Sequence, residues 1–357
     1  MDLGFSKVTP TKKIKKWKII SSLLIILLLV WFFHPTWTPA IKNHTNSIAQ
    51  LKTIEINGAK QEIMIRGVDK SKPAILLVHG GPGCPEISYV RKYQDILEEN
   101  YVVVNYEQRG MGKSYSFKED YKGISIDTLV KDLLEVTDYV RSELKADKVI
   151  LAGHSFGTIL GIKAAAKAPE KYHAYIGIGQ AGNLWKGELE SLEYSLEKAK
   201  EKSDTKDIEA IEGYRTLIEN KKETLPRTFI VKYGGSYRLI DESSDLIKGI
   251  LFSKEYNLFD GVKYLKGVSI NGDVLWNQVK NMNLPEEVKT LKVPCYFVSG
   301  RYDYMTAINT AKEYLDSISA PKKEFVVFEE SAHFPQYEEK EKFAKWLEGT
   351  CKELKIE

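Results

Sequence analysis

The stretch VILAGHSFGTILGIKAAAK, residues 149–167, joins a short apolar run to a segment with helical spacing through the pentapeptide GHSFG. A G-x-S-x-G pentapeptide between a strand and a helix places its serine on a sharp turn. The backbone of that turn is strained, which pushes the serine hydroxyl into the open. Side chains two positions to either side would collide with the neighbouring strand and helix, so both positions require glycine. The pattern predicts Ser155 as an exposed nucleophile.

A nucleophilic serine needs a base, and the base needs an acid that orients it. Of the six histidines, His333 lies between the last predicted strand and the last predicted helix. Asp303 follows the preceding predicted strand, although an aspartate there could instead cap a helix beginning near Thr306. Loops at the carboxyl ends of the strands form the active face of an open α/β sheet. We therefore expect Ser155, Asp303 and His333 to act as nucleophile, acid and base.

A glycine-rich loop supplies the candidate oxyanion hole. The sequence HGGPG, residues 79–83, directly follows the apolar run 74–78. The backbone N–H groups of Gly81 and Phe156, the residue after the nucleophile, are expected to hold a developing oxyanion. A phosphate-binding loop is the alternative, and it is disfavoured because no Lys-Ser/Thr pair follows and Pro82 has no N–H.

The remaining pattern indicates an α/β fold with a mostly parallel sheet and helices on both faces. Short apolar runs separated by helical stretches are typical of strands buried on both sides. The runs are 74–78, 101–106, 149–152, 175–178, 293–299 and 324–328. A hairpin around Asn57-Gly58 precedes them. The alternation of short apolar runs and helical stretches stops between 183 and 290. This interruption predicts a helical lid inserted into a core formed by 51–182 and 291–357.

The amino-terminal end predicts a membrane anchor. Residues 1–18 carry a net charge of +5 from six lysines, and an uncharged apolar run follows. We expect a basic cytoplasmic tail over 1–18, a transmembrane helix over 19–37 and a polar stalk over 38–50, with the remainder outside the cell. A cleaved signal peptide is disfavoured because no small-x-small site follows the run, and a buried core helix because the run is not amphipathic.

Five motifs together resemble the proline iminopeptidase family of α/β-hydrolase-fold serine enzymes. They are HGGPG at 79–83, YEQRGMGKS at 106–114, the pentapeptide at 153–157, GRYD at 300–303 and SAH at 331–333. The resemblance covers about residues 51–352 and implies the same triad, Ser155, Asp303 and His333, with Gly81 and Phe156 as oxyanion donors.

The resemblance also implies how a substrate would be held. Aminopeptidases of that family use lid carboxylates to hold the free amine of the substrate, and the candidates here are Glu188, Glu190 and Glu193. The chain departs from the family at Glu107, where Asp is usual, and at Cys84, where Gly is usual. It also has GHSFG where GGSWG is frequent, which alters the floor of the pocket and puts a preference for proline in doubt.

The expected function is that of a membrane-anchored serine hydrolase, an aminopeptidase acting on short peptides without metal or cofactor. A carboxylesterase acting on small esters is the alternative. A silent binding protein on the same fold is disfavoured because no triad residue is missing, and a dehalogenase or epoxide hydrolase because Ser155 is not an aspartate. Nucleic acid is not an expected partner, because the chain beyond residue 18 has 46 basic and 48 acidic side chains. The three cysteines form no zinc or disulfide pattern.

Overall fold

The computed structural model describes residues 12–356, and within that range one eight-stranded sheet forms the centre of the molecule. The strands lie in the order β1-β2-β4-β3-β5-β6-β7-β8. Their bounds are β1 Ile48–Ile56, β2 Ala59–Gly67, β3 Ala74–Val78, β4 Val102–Tyr106, β5 Val149–His154, β6 Tyr172–Ile178, β7 Cys295–Gly300 and β8 Lys323–Phe328. Each apolar run that the sequence indicated as a strand is a strand, shifted at its ends by up to three residues.

Strand direction follows the sequence pattern. The first two strands form the antiparallel hairpin predicted around Asn57-Gly58, and both turn residues have positive φ angles. β2 pairs antiparallel with β4, and every later pair in the sheet is parallel. The carboxyl ends of β3 and of β5 to β8 therefore meet at one edge, where the motif loops lie.

Helices cover both faces of the sheet. They are α2 Arg91–Glu98, α3 Ile126–Leu144, α4 Phe156–Lys167, α12 Ile308–Ser317, α13 Pro335–Glu338 and α14 Lys340–Leu354. One apolar cluster joins α3, α4 and α12 to the sheet, and a second cluster on the other face joins α2 and α14 to it. Burial of both faces explains why the central strands are apolar without alternation.

The inserted segment forms the helical lid expected between 183 and 290. Its helices are α5 Leu184–Glu201, α6 Thr205–Glu212, α7 Arg215–Glu219, α8 Arg227–Lys232, α9 Glu242–Phe252, α10 Leu258–Lys280 and α11 Leu284–Glu287. The first four pack around an apolar cluster of their own, which includes Leu192, Ile211 and Ile230. The lid is therefore held together by its own core as well as by contacts with the sheet.

At the amino-terminal end, α1 spans Lys12–Phe33. It ends four residues before the predicted limit of the transmembrane helix. The next residue, His34, precedes Pro35, and a proline ring disfavours helical backbone at the residue before it. Among residues 12–356, no helix is long and apolar enough to cross a membrane. The first eleven residues of the predicted basic tail lie outside the described range. The last turn of α1 contacts the lid, where the rings of Phe33 and Phe259 are 5.3 Å apart.

The segment predicted as a polar stalk, 38–50, differs in the structure. The Thr38 hydroxyl donates a hydrogen bond to the Glu255 carboxylate of the lid at 3.0 Å, and the Arg66 guanidinium donates to Thr38 at 2.7 Å. The Trp37 N–H donates to the carbonyl of Lys254 at 2.9 Å. Residues 48–50 already belong to β1. The start of the segment is thus bound to both the core and the lid through Thr38, whereas residues 42–46 are exposed, as expected for a polar stalk.

A buried ion pair next to Thr38 gives a test of the packing. Arg66 binds Glu98 through two hydrogen bonds of 2.7 and 3.1 Å, and both side chains are under 10% exposed (7% and 8%). Arg66→Met should lower the free energy of unfolding by about 3 kcal/mol, because it leaves Glu98 buried without its partner. Lys52→Met, which breaks the more exposed Lys52–Glu143 pair, should cost no more than about 1 kcal/mol. Urea unfolding of both variants measures this, and equal losses would contradict the assignment.

Candidate active site

The turn between β5 and α4 has the geometry that the pentapeptide requires. Ser155 has a φ of 53° and a ψ of −123°, a strained conformation for a residue with a side chain. A Cβ atom on Gly153 would lie 2.6 Å from the carbonyl oxygen of Gly157, and one on Gly157 would lie 2.6 Å from that of His79. The predicted need for glycine at both positions is confirmed, since either side chain would push α4 away from the sheet.

The two predicted oxyanion donors lie beside the serine. Phe156 begins α4, so its N–H is one of the first-turn donors that have no acceptor within a helix. Gly81 has a φ of 121°, and a Cβ atom there would lie 2.7 Å from the backbone nitrogen of Cys84. The neighbouring Gly80 also lies close to the serine: a Cβ atom added to Gly80 would be 3.0 Å from the Cβ atom of Ser155. The loop thus brings backbone amides against the nucleophile without intervening side chains.

Asp303 and His333 come together at the ends of β7 and β8. The His333 Nδ1 lies 2.9 Å from the Asp303 Oδ2, and both side chains are buried. The other Asp303 oxygen accepts the backbone N–H groups of Met305 and Thr306, at 2.9 and 3.0 Å. The aspartate therefore caps the following turn and orients the histidine at once. With Nδ1 held as a donor, Nε2 is left as the basic nitrogen.

A cavity of about 490 Å³ between the core and the lid contains the serine, the histidine and both oxyanion donors. That volume is typical of small-molecule sites. Much of its wall is apolar and aromatic, and this part includes Tyr89, Phe156, Ile159, Leu184, Val231, Tyr237, Trp276, Val279, Met305 and Phe334. Several of these come from lid helices α5, α8 and α10, so the lid sets the shape of the pocket.

Charged groups of the cavity come from four places in the chain. Glu86, Arg227, Glu242 and Asp273 line it, with Asp273 at an exposed position. Burial and, to a smaller extent, the nearby Glu86 carboxylate raise the pKa of Glu242 to about 7. The Tyr89 hydroxyl donates only a long hydrogen bond of 3.4 Å to Glu242. Glu242 is therefore a carboxylate that would gain from a cationic partner.

The structure places the three predicted lid glutamates elsewhere. Glu188 is buried, where it pairs with Arg227 and accepts the N–H of Leu225 at 2.9 Å. Glu190 accepts a hydrogen bond from Asn309 at 3.0 Å, and Glu193 forms an exposed ion pair with Arg215, the first residue of α7.

None of the three glutamates lines the cavity that holds Ser155. Their spacing along α5 turns them toward other helices, which the residue types alone did not reveal. Sequence reasoning missed Glu242, whose only signal is its place in the first turn of α9, where acidic residues are common.

The two departures from the family motifs occupy different places. Cys84 lies in the cavity wall, where burial raises the pKa of its thiol to about 11. Glu107 is fully buried and accepts hydrogen bonds from the Tyr256 hydroxyl and the Lys113 N–H, both at 2.5 Å. Burial raises its pKa to about 8. Since Tyr256 belongs to the lid, the longer glutamate helps to fasten the lid to the core.

Comparison with known proteins agrees with this geometry. Residues 73–340 match the family described as alpha/beta hydrolase fold. The chain belongs to that family. This hydrolase is 32% identical to the probable aminopeptidase YbaC of Bacillus subtilis (strain 168) over 304 residues, which cover 84% of this chain and 96% of the relative. It is 27% identical to the proline iminopeptidase of Heyndrickxia coagulans, over 81% and 94% of the two chains.

Among solved structures, the hydrolase resembles the proline iminopeptidase of Mycobacterium smegmatis. The TM-score is 0.65 at 15% identity, over 85% of this chain and 98% of the other. At this identity the likeness concerns the fold. The resemblance to proline iminopeptidases drawn from the motifs is confirmed by these matches.

The triad geometry generates a direct test. Ser155→Ala, Asp303→Asn and His333→Ala should each lower turnover of an activated nitrophenyl ester by several orders of magnitude. The losses should not add in double variants, because the three side chains act as a unit. Turnover is measured beside thermal unfolding, which separates lost chemistry from lost folding. A double variant much worse than either single variant would contradict the assignment.

Proposed function

We propose that this hydrolase is a serine aminopeptidase, similar to proline iminopeptidases, that releases amino-terminal residues from short peptides. The observation that carries the proposal is the carboxylate of Glu242, which lines the same cavity as Ser155. The names of the relatives agree, since one is a probable aminopeptidase and another a proline iminopeptidase. Apolar and aromatic walls favour an apolar first residue, such as proline, in the acyl position.

The proposed reaction is acyl transfer through the triad. The Nε2 atom of His333 takes the proton of Ser155 as the serine oxygen attacks the carbonyl carbon of the first peptide bond. The N–H groups of Gly81 and Phe156 hold the oxyanion of the tetrahedral intermediate. His333 then gives the proton to the leaving amine. A water molecule, deprotonated by His333, attacks the acyl group and frees the serine.

Recognition of the free amine would fall to Glu242. The other buried carboxylate of the cavity, Glu86, already has both oxygens engaged, by His154 at 3.2 Å and by the Tyr337 hydroxyl at 2.6 Å. Glu242 has only the long contact with Tyr89. An ammonium group beside Glu242 would form a charge-assisted hydrogen bond in a site partly shielded from water. That bond would position the first carbonyl of the peptide rather than an internal one.

A carboxylesterase is the second candidate, and the largely apolar cavity wall is the observation that favours it. An ester with an apolar acyl group would fill the same space and would need no cation-binding group. The two candidates share the triad and the oxyanion hole. They differ in whether Glu242 contributes to the rate.

Glu242→Gln provides the test of substrate class. On aminoacyl-coumarin amides the variant should lower kcat/KM at least about tenfold, or roughly 1.4 kcal/mol of transition-state stabilisation. On the N-acetylated amides it should change little, because they carry no ammonium. Glu193→Gln is the matched control, since Glu193 lies on the surface of the lid and should leave both substrates unaffected. Equal rates for free and acetylated substrates in the unaltered enzyme would favour the esterase.

The pKa of Glu242 gives the same proposal a pH dependence. Its carboxyl must be ionised to bind an ammonium, and with a pKa raised to about 7 it is mostly protonated below that value. The ratio of kcat/KM for free over acetylated substrates should therefore rise as the pH increases through about 7. The rise should end near pH 8, where α-amino groups lose their charge. In Glu242→Gln the ratio should stay flat below pH 8, and a parallel rise there would contradict the role.

No helix among residues 12–356 is long and apolar enough to cross a membrane. We nevertheless propose that the amino-terminal segment, part of which lies outside the described range, anchors the protein in a lipid bilayer, with its lysine-rich end in the cytoplasm and the catalytic domain outside. The support is the apolar surface of α1, where Leu23 is 55% and Leu27 is 64% exposed to solvent. An exposed apolar surface is unfavourable in water and favours contact with lipid. The lysines at residues 12–18 favour the cytoplasmic side.

Protease treatment of intact cells tests this topology. The catalytic domain should be lost while a small amino-terminal fragment stays in the membrane fraction, because only the domain is exposed outside. Permeabilised cells serve as the control for protease access. Protection of the domain in intact cells, or a mature protein that begins near residue 40, would contradict the anchor.

A further inference from the structure

His154, the residue before the nucleophile, has oxygen acceptors at both ring nitrogens. Its Nε2 lies 2.9 Å from the backbone carbonyl oxygen of His333, and its Nδ1 lies 3.2 Å from the carboxylate of Glu86. A carbonyl oxygen can only accept, so Nε2 must carry a proton. The second Glu86 oxygen accepts from the Tyr337 hydroxyl at 2.6 Å. One further proton is therefore shared between Nδ1 and Glu86. Their mutual contact raises the pKa of His154 and lowers the pKa of Glu86, in each case against the effect of burial, and this favours the ion pair.

His79, in the oxyanion loop, shows the opposite arrangement. Its Nε2 accepts the N–H of Gln108 at 3.1 Å, and its Nδ1 lies 2.9 Å from the carbonyl oxygen of Gly80. One nitrogen accepts and one donates, which is the pattern of a neutral imidazole. Burial lowers its pKa to about 4, whereas the Glu86 carboxylate raises the pKa of the equally buried His154 against the effect of its burial. The two histidines differ because their neighbours differ.

We propose that His154 is a positioning residue for the reaction: it is an imidazolium, paired with Glu86, that holds the loop of the catalytic His333. The proposal rests on His333 as the base of the proposed function, but not on the identity of the substrate. It accounts for the histidine in the GHSFG pentapeptide, which neither the turn geometry nor the oxyanion hole requires.

The contacts of His154 show how it would act. Its ring lies 4.7 Å from that of His333 and 4.8 Å from that of Phe334, measured between centroids. Phe334 in turn stacks on Tyr337, the residue that binds Glu86. The hydrogen bond to the His333 carbonyl fixes the backbone of the base, and the aromatic contacts fix the loop around it. Small displacements of a base carry large losses in rate, so a fixed loop favours catalysis.

The rate at which a fluorophosphonate labels Ser155 measures the base directly, whichever substrate the enzyme takes. His154→Met should lower this rate about tenfold or more relative to His154→Gln, because the two side chains are similar in size and only glutamine can still donate to the His333 carbonyl. Glu86→Gln leaves the donor at Nε2 of His154 in place, so it should slow labelling less than His154→Met does. Glu143→Gln, on the surface, is the control and should leave the labelling rate unchanged.

The protonation state of His154 is checked separately in the full-length protein. With ¹⁵N-labelled histidine, both ring nitrogens of His154 should carry protons at neutral pH, and one should lose its proton in Glu86→Gln. An unprotonated nitrogen in the unaltered protein would overturn the proposal, and so would equal labelling rates for the Met and Gln variants at equal thermal stability. Failure of Ser155 to label at all would instead overturn the triad, and with it the function proposed above.

Discussion

The close approach of α4 to β3 is the constraint on which the site depends. With no side chain at Gly157, the first turn of α4 can pack against the carbonyl groups at the end of β3. That contact places Ser155, in its strained conformation, and Phe156, the first residue of α4, beside the loop after β3. The strain is local, and burial of β5 and α4 in the central apolar cluster stabilises it. The positions of the proposed nucleophile and of the proposed oxyanion donors thus follow from one packing contact.

The second determinant of the site is the lid, which decides what reaches the serine. It contributes Glu242 and Trp276 to the cavity wall. Its contacts with the core include the hydrogen bond of Tyr256 to Glu107, and Glu255 binds Thr38 in the segment that follows α1. The segment that contains Thr38 directly follows α1 in the chain. The helix α1, the lid and the core therefore form one connected set of contacts. A membrane attached to α1 would therefore lie close to the lid.

Residues with a backbone requirement were predictable from the sequence. The elbow glycines and the hairpin at Asn57-Gly58 can be inferred because few residue types tolerate those conformations. Asp303 and His333 could be predicted as a pair because strand ends converge on one edge of a parallel sheet, and their side chains do meet there. The alternative role of Asp303 as a helix cap is wrong, because α12 begins at Ile308 after Ala307. One oxygen of Asp303 instead accepts N–H groups of the preceding turn, and the other faces His333.

What the sequence alone determined was local: strands, helices, the strained turn and the chain order of nucleophile, acid and base. The tertiary structure decided which charged side chains meet. Glu188 and Glu242 are both lid glutamates, yet one is neutralised by Arg227 and the other faces the cavity. His79 and His154 are both buried, yet their partners give them different charges. Such outcomes depend on contacts between residues far apart in the chain, and no local pattern encodes those contacts.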